Sequence, residues 1–204
     1  MHMIDRIAAL QKRMETAGID LALFGCGPSY QYLTGIDNGW RFRADMVSAP
    51  EILLVPAGST GGEPVVLSRS DSVGDQLHIT AGQINPGRIA VGDRPSPGVW
   101  EALIAAFPDA TLVTGDALVE PIRLIKDADE IAALRKAARL TDEAVRATLP
   151  AIREGVTMRE LQLEIEMYAR RNGAVGTSFD IVAGFVQSGS EPTGSIFSYG
   201  ADEG

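Results

Sequence analysis

The 204-residue sequence contains few of the side chains that hold metal ions or attack substrates. It has one cysteine, Cys26, and two histidines, His2 and His78. A single thiol excludes an internal disulfide and a thiolate metal cluster, and the motifs HExxH, CxxC and GxSxG do not occur. Activation of a thiol requires a neighbouring base or positive group. We therefore interpret Cys26 as a small, buried and inert thiol rather than a nucleophile.

The sequence also lacks a basic surface and a long apolar run. Its net charge is −9, which excludes a nucleic-acid partner because phosphate binding requires a stripe of Lys and Arg. Charged residues such as Asp5 and Arg6 interrupt the first apolar residues, so we expect no signal peptide, and no stretch is long enough to cross a membrane. With 45% hydrophobic residues, the chain can bury a substantial core. We expect a globular protein of the cytoplasm.

The first 120 residues alternate between helical and strand patterns. Apolar residues at helical spacing, with Gly18 as a stop, predict an opening helix. Alternation of this kind is typical of a sheet with helices on both faces. The predicted strands cover residues 20–24, 51–55, 64–67, 88–91 and 111–114, and the predicted helices cover residues 4–17, 70–77 and 97–107.

A glycine pair follows the first predicted strand, in Gly25-Cys26-Gly27. Such a turn can begin a dinucleotide-binding fingerprint, in which a helix amino terminus holds a pyrophosphate. Tyr30 occupies the third glycine position, where the fingerprint needs glycine for close helix packing. We therefore favour a plain strand-to-helix turn.

Residues 121–184 begin a second domain. Asp127 with Glu130, and Thr157 with Glu160, have the spacing of capping boxes, each followed by a stripe of apolar residues. The acidic cluster around Asp127 could suggest a metal site, but neighbouring helix positions point in different directions, so a cap is the better interpretation. Residues 178–183 form a predicted strand, and only 20 residues follow Gly184. The pattern indicates a complete domain followed by a truncated one.

Several segments resemble, in order, the creatinase/aminopeptidase P/Xaa-Pro dipeptidase family. They are Met14-Glu-Thr-Ala-Gly-Ile-Asp20, Tyr30-Gln-Tyr-Leu-Thr-Gly35, and residues 121–131, 155–161 and 172–183. The resemblance implies an α/β amino-terminal domain, residues 1–120, with a mixed sheet and helices on both faces. It also implies that residues 121–204 are the first part of an α+β "pita-bread" domain, as in methionine aminopeptidase.

The resemblance implies a metal-dependent hydrolase as the parent protein. Members cleave an amino-terminal residue before proline, or a small amide, with two divalent ions of manganese, cobalt or zinc and a bridging water. The metal ligands would lie beyond Gly204, so we expect this chain to bind no metal and to be inactive alone. Pro192-Thr193 stands near the position of a family Pro-His pair, so Thr193 would replace a histidine that binds substrate. The alternative is a non-catalytic, protein-binding pita-bread module.

The segment Trp40-Arg41-Phe42-Arg43 is the candidate substrate-binding site. Two aromatic rings and two guanidinium groups could form a stacking surface and a carboxylate clamp. The simpler interpretation is an edge strand with arginines extended into water. The resemblance favours the first interpretation, because it implies a homodimer in which this segment reaches the neighbouring subunit's active site. It also implies that the substrate is a peptide or a small amide.

Overall fold

A computed structural model describes residues 3–37, 51–68 and 73–176. Within these ranges the chain divides into two compact units, one extending to Asp127 and the other beginning at Ala128. The first unit, in chain order, contains α1 (Met3–Ala17), β1 (Leu21–Phe24), α2 (Pro28–Thr34), β2 (Glu51–Pro56), β3 (Val65–Ser68), α3 (Val73–Gln83), β4 (Arg88–Gly92), α4 (Pro97–Ala106), β5 (Thr111–Thr114) and α5 (Asp116–Leu124). The second contains α6 (Ala128–Thr148) and α7 (Met158–Arg171).

The five strands form one mixed sheet in the order β3-β2-β1-β4-β5. The central strand β1 runs antiparallel to β2, with Leu21 opposite Pro56, and parallel to β4, with Leu21 opposite Ile89. β2 and β3 are antiparallel, whereas β4 and β5 are parallel. The predicted mixed α/β sheet is therefore confirmed.

Alternate residues of β1 enter two separate hydrophobic cores, because successive side chains of a strand point to opposite faces. Ala22 and Phe24 pack with residues of α1, α2 and α5 on one face. Leu21 and Leu23 pack with residues of α3 and α4 on the other. All four side chains are fully buried, so the sheet has helices on both faces, as the sequence predicts.

The short α2 follows the glycine turn, as the sequence predicts. The helix α5 is not predicted by the sequence: it continues through Pro121, where the sequence suggested a domain boundary. Leu118 and Val119 of α5 join the core beneath α1. The Arg6 guanidinium on α1 also lies 3.6 Å from the Asp127 carboxylate. These contacts make α5 and the residues up to Asp127 part of the first unit.

The second unit contains a pair of helices, of which α7 begins as the sequence predicts. Thr157 and Glu160 form a reciprocal capping box at the start of α7, and Gly173 follows the helix with φ 98°. On α6, by contrast, most of the predicted apolar stripe is exposed, and the buried side chains are Ala144 and Thr148. The predicted strand at 178–183 lies outside the described residues. In the ranges that the structure describes, no helix is both long and apolar enough to cross a membrane.

Candidate functional site

Three loops meet where the parallel strands β1, β4 and β5 end. The chain bends after each strand and enters α2, α4 and α5 in turn. The Gly25 N–H donates to the carbonyl of Gly92 at 3.2 Å, and the Gly115 N–H donates to the carbonyl of Val91 at 2.8 Å. In open α/β sheets, ligands bind at this edge, outside the carboxyl ends of the strands.

The carboxylate of Asp93, in the loop after β4, lies at this edge beside the first residues of α2. Asp93 is buried and accepts the backbone N–H of Ser29 at 3.0 Å through Oδ1, and that of Tyr30 through Oδ2. A Cβ on Gly27 would stand 2.5 Å from the Asp93 Cγ, so this glycine is needed for the approach of the carboxylate. The first amides of α2 thus bind Asp93, and Gly25-Cys26-Gly27 is a strand-to-helix turn, the interpretation favoured from the sequence.

Asp93 also contacts the third loop, and the pKa of its carboxyl group is raised. Its backbone N–H donates to the Asp116 carboxylate at 3.2 Å, and Asp93 adopts the left-handed conformation at φ 59°. Burial raises the pKa of the Asp93 carboxyl, the N–H groups of Ser29 and Tyr30 oppose that rise, and the Asp116 charge adds to it. Asp93 therefore links the loops after β1, β4 and β5.

A second, partly buried hydrogen bond links the two elements on either side of the segment that carries Trp40 to Arg43. The Tyr30 hydroxyl on α2 donates to Glu51 Oε2 at 2.6 Å, and Glu51 is the first residue of β2. Burial raises the pKa of the Tyr30 phenol, and the hydrogen bond and charge of Glu51 raise it further. The phenol thus stays protonated and donates to Glu51 across the ordinary pH range.

The helix before that segment ends at a fixed point. Gly35, at φ 74°, donates its N–H to the Gln31 carbonyl at 2.9 Å and closes α2. Arg6 donates to the Tyr32 carbonyl at 2.8 Å and stacks over the Tyr32 ring at 4.2 Å. These contacts anchor α2 to α1, so both described flanks of residues 38–50 belong to the packed scaffold.

None of the sequence-predicted site residues belongs to the part of the chain that the structure describes. Trp40, Arg41, Phe42, Arg43 and Thr193 all lie outside the described residues. Cys26 forms no disulfide and is half-buried, a correction to the expected buried thiol, because its turn lies at the rim of the sheet rather than in either core.

The described residues do not fit a metal centre. Across 3–37, 51–68 and 73–176, no three His, Cys, Asp or Glu side chains come together in a way that could hold an ion. Asp127 instead faces Arg6. We therefore assign no metal-dependent step to residues of these ranges.

Sequence patterns do not single out Asp93, which lies between β4 and α4. Asp93 bonds to residues more than 60 positions away, a distance that no local pattern encodes. The feature of the sequence that could have indicated this contact is the pair Gly25 and Gly27. Because the third glycine of a phosphate-binding turn is missing, the two glycines indicate that another part of the chain approaches the turn closely.

Comparison with known proteins defines the class. Residues 6–125 match the Creatinase/Prolidase N-terminal domain, and residues 132–198 match Metallopeptidase family M24. The chain therefore belongs to the creatinase/prolidase family of M24 metallopeptidases.

Individual relatives agree with this class. The chain is 35% identical over 97 residues to an uncharacterized peptidase, YqhT, of Bacillus subtilis, covering 48% of this chain and 28% of YqhT. The fold is similar to that of an Xaa-Pro dipeptidase from Bacillus anthracis, with a TM-score of 0.71 and 22% identity over 88% of this chain and 52% of that one. A prolidase from Thermococcus sibiricus gives a TM-score of 0.71 and 24% identity over 88% and 53%. The chain thus spans about half the length of these solved relatives and resembles their amino-terminal part.

Proposed function

We propose that this chain is the amino-terminal domain and the first part of the catalytic domain of a metal-dependent Xaa-Pro dipeptidase or aminopeptidase. The parent would act in the cytoplasm as a homodimer on peptides or small amides. The observation that carries the proposal is the two consecutive matches, 6–125 and 132–198, in the order of the family's two domains.

In this proposal the described scaffold holds substrate-contacting residues rather than performing chemistry. Trp40, Arg41, Phe42 and Arg43 would stack on and clamp the substrate of the neighbouring subunit. Their support comes from the fixed ends of residues 38–50, where the Tyr30–Glu51 hydrogen bond joins α2 to β2. Two divalent ions, of manganese, cobalt or zinc, would bind in the half of the family fold that this chain does not span, and the chain alone would be inactive.

A chimera tests the proposal. Residues 1–204 would be joined to the carboxyl-terminal part of the Bacillus anthracis Xaa-Pro dipeptidase that the chain does not span, and assayed with Ala-Pro and added manganese. We expect metal-dependent cleavage by the chimera and none by the 204-residue chain. Replacing both Trp40 and Phe42 by Ala in the chimera should lower kcat/KM at an unchanged melting temperature, and Ile104→Ala, at an exposed site on α4, is the matched control.

Two outcomes would contradict the proposal. Cleavage by the 204-residue chain alone would show that the reacting groups lie within it. A folded, metal-loaded chimera without activity would instead favour the non-catalytic binding module, for which the relatives named above give no support.

A further inference from the structure

The carboxyl end of α7 carries an Asn-Gly pair, Asn172-Gly173, within the described part of the second unit. Asn172 is the first residue after the helix, and Gly173 follows it with φ 98°. Both residues are exposed. Asparagine is among the chemically labile residues of proteins, and a following glycine, which has no Cβ, leaves the next backbone nitrogen open to the asparagine side chain. The pair is therefore a candidate site of spontaneous modification.

The reaction open to such a pair is deamidation. The backbone nitrogen of Gly173 loses its proton to the solvent and attacks Cγ of Asn172. The bond from Gly173 N to Cγ forms, the bond from Cγ to Nδ2 breaks, and Nδ2 leaves as ammonia with a proton from the solvent. Water then opens the resulting cyclic imide at one of its two carbonyls and gives aspartate or isoaspartate. Water is the only co-reactant, so the modification needs no oxidant, reductant or enzyme.

Both reacting groups are held by the last turn of α7. The Gly173 N–H donates to the Arg170 carbonyl at 3.2 Å, so the attacking nitrogen keeps its proton in a hydrogen bond. The Asn172 Nδ2 donates to the Tyr168 carbonyl at 2.8 Å, so the side chain bonds back to the helix. While both bonds are made, the nitrogen and the carbon that it attacks are kept from reacting.

Two further contacts close this helix cap. The Ala174 N–H donates to the Ala169 carbonyl at 2.9 Å, and together with the glycine bond it forms a Schellman motif. The Arg170 guanidinium donates to the Val175 carbonyl at 2.9 Å and pairs with Glu166 at 2.8 Å, so it ties the chain after the helix to the helix surface. Exposed helix ends open locally at a low cost in free energy. The reactive state therefore requires opening of this cap and no wider unfolding.

We propose that Asn172-Gly173 is a deamidation site whose rate is set by opening of the cap at the end of α7. The product lacks the Nδ2 donor to the Tyr168 carbonyl and carries a negative charge at the carboxyl end of a helix, where the helix dipole disfavours it. The modification therefore weakens the cap, and the modified fraction increases with the age of the protein. The inference stands on the second unit alone and does not depend on the proposed peptidase activity.

Ageing of the chain in mildly alkaline buffer tests the site. Peptide mapping by mass spectrometry, with isoaspartyl methyltransferase as the probe for isoaspartate, measures the modified fraction at each asparagine. Asn85 precedes Pro86, whose nitrogen has no proton to lose, so it is the unreactive control. Asn38-Gly39, the other Asn-Gly pair of the sequence, lies outside the described residues and is mapped separately. We expect deamidation at Asn172 and none at Asn85.

Removal of the Arg170 tether tests control by the cap. Arg170→Ala deletes the bond to the Val175 carbonyl and should accelerate deamidation at Asn172 about three- to tenfold, the range expected for the loss of one hydrogen bond. Arg171→Ala removes the same charge from the neighbouring exposed residue and should leave the rate nearly unchanged, so it is the matched control. Circular dichroism checks that both variants are folded. The unfolded chain in urea should react fastest, because no cap then protects the pair.

Three results would overturn the proposal. Asn172 could stay intact in the folded chain while the chain in urea is modified there, which would mean that the cap does not open. Deamidation could be equally fast in the folded chain and in urea, which would mean that the cap gives no protection. The two arginine variants could react at the same rate, which would show that the tether does not control opening.

Discussion

The two units of the molecule bury their apolar residues to different extents. In the first unit, the sheet residues Leu21, Leu23 and Phe24 are 0% exposed, with helices on both faces. In the described part of the second unit, Leu134 on α6 is 57% exposed and Leu163 on α7 is 51% exposed. An amphipathic helix gains most of its stability from packing its apolar face. The comparison indicates that the first unit completes its own core, whereas α6 and α7 retain apolar surface for further packing.

The largest difference should appear on truncating a leucine in each unit. Leu23→Ala removes a fully buried side chain from the central strand and should lower the free energy of unfolding by about 2–5 kcal/mol. Leu134→Ala, at a largely exposed position, should change it by about 0.5 kcal/mol or less. Urea titrations followed by circular dichroism measure both changes. Equal losses would mean that the α6 stripe is packed in solution, and the contrast between the units would disappear.

A smaller effect should come from the glycine beside Asp93. Gly27→Ala places a methyl group on the carboxylate and displaces it from the amides of Ser29 and Tyr30. The buried N–H groups left unsatisfied should destabilise the first unit by about 1–3 kcal/mol.

A double-mutant cycle provides the control for this prediction. In an Asp93→Ala background, where the obstructing side chain is absent, Gly27→Ala should be nearly neutral. An unchanged cost in that background would assign the effect to the glycine backbone rather than to Asp93.

In the second unit, the capping box should make a more modest contribution. Thr157 accepts the Glu160 N–H at 3.2 Å, and its own N–H donates to the Glu160 carboxylate at 2.8 Å. Thr157→Ala should destabilise α7 by about 1 kcal/mol, whereas Thr157→Ser should preserve the cap. Amide hydrogen exchange in the first turn of α7 is the measurement. Identical exchange in the two variants would show that tertiary packing, rather than the cap, fixes this end of the helix.

The smallest effects should appear on acidification, with opposite signs in the two units. The pKa of Asp93 is raised by burial, so the folded first unit takes up this proton before the unfolded chain does. Its contribution to stability therefore increases as the pH falls and is lost as the pH rises through the raised pKa. The hydrogen bond from the Thr157 N–H, and then that from its hydroxyl, lower the pKa of Glu160. That contribution is present above the ordinary glutamate pKa and is lost as the pH falls through the lowered value.

Carbon-detected NMR titration of the two carboxyl groups checks these directions. Asp93 should titrate above the ordinary range for aspartate and Glu160 below that for glutamate. Asp93→Asn and Glu160→Gln should each remove one of the two opposing slopes from the dependence of stability on pH. A lowered pKa at Asp93 would contradict burial as its main cause, and a raised pKa at Glu160 would contradict the effect of the Thr157 hydrogen bonds.

Local patterns in the sequence predict most of the first unit and the start of α7. The strands β1 to β5 appear in the sequence as short apolar runs between turn residues. The Thr157–Glu160 capping box is also predictable, because its two residues are only three positions apart. The helix α5 is missed because Pro121 normally ends a helix, yet here the core contacts of Leu118 and Val119 hold it. Asp93 could not be located, since its partners are brought to it only by the assembled sheet.

The hydrogen bond between Tyr30 and Glu51 also bears on how this protein can change during evolution. This bond joins α2, which precedes residues 38–50, to β2, which follows them. Closing a loop whose ends are already fixed becomes only slowly harder with length, by about 0.6 kcal/mol for each doubling. Insertions, deletions and substitutions between Asp37 and Glu51 can therefore accumulate at little expense to the sheet. A single buried phenol thus ties α2 to β2 whatever sequence stands between Asp37 and Glu51.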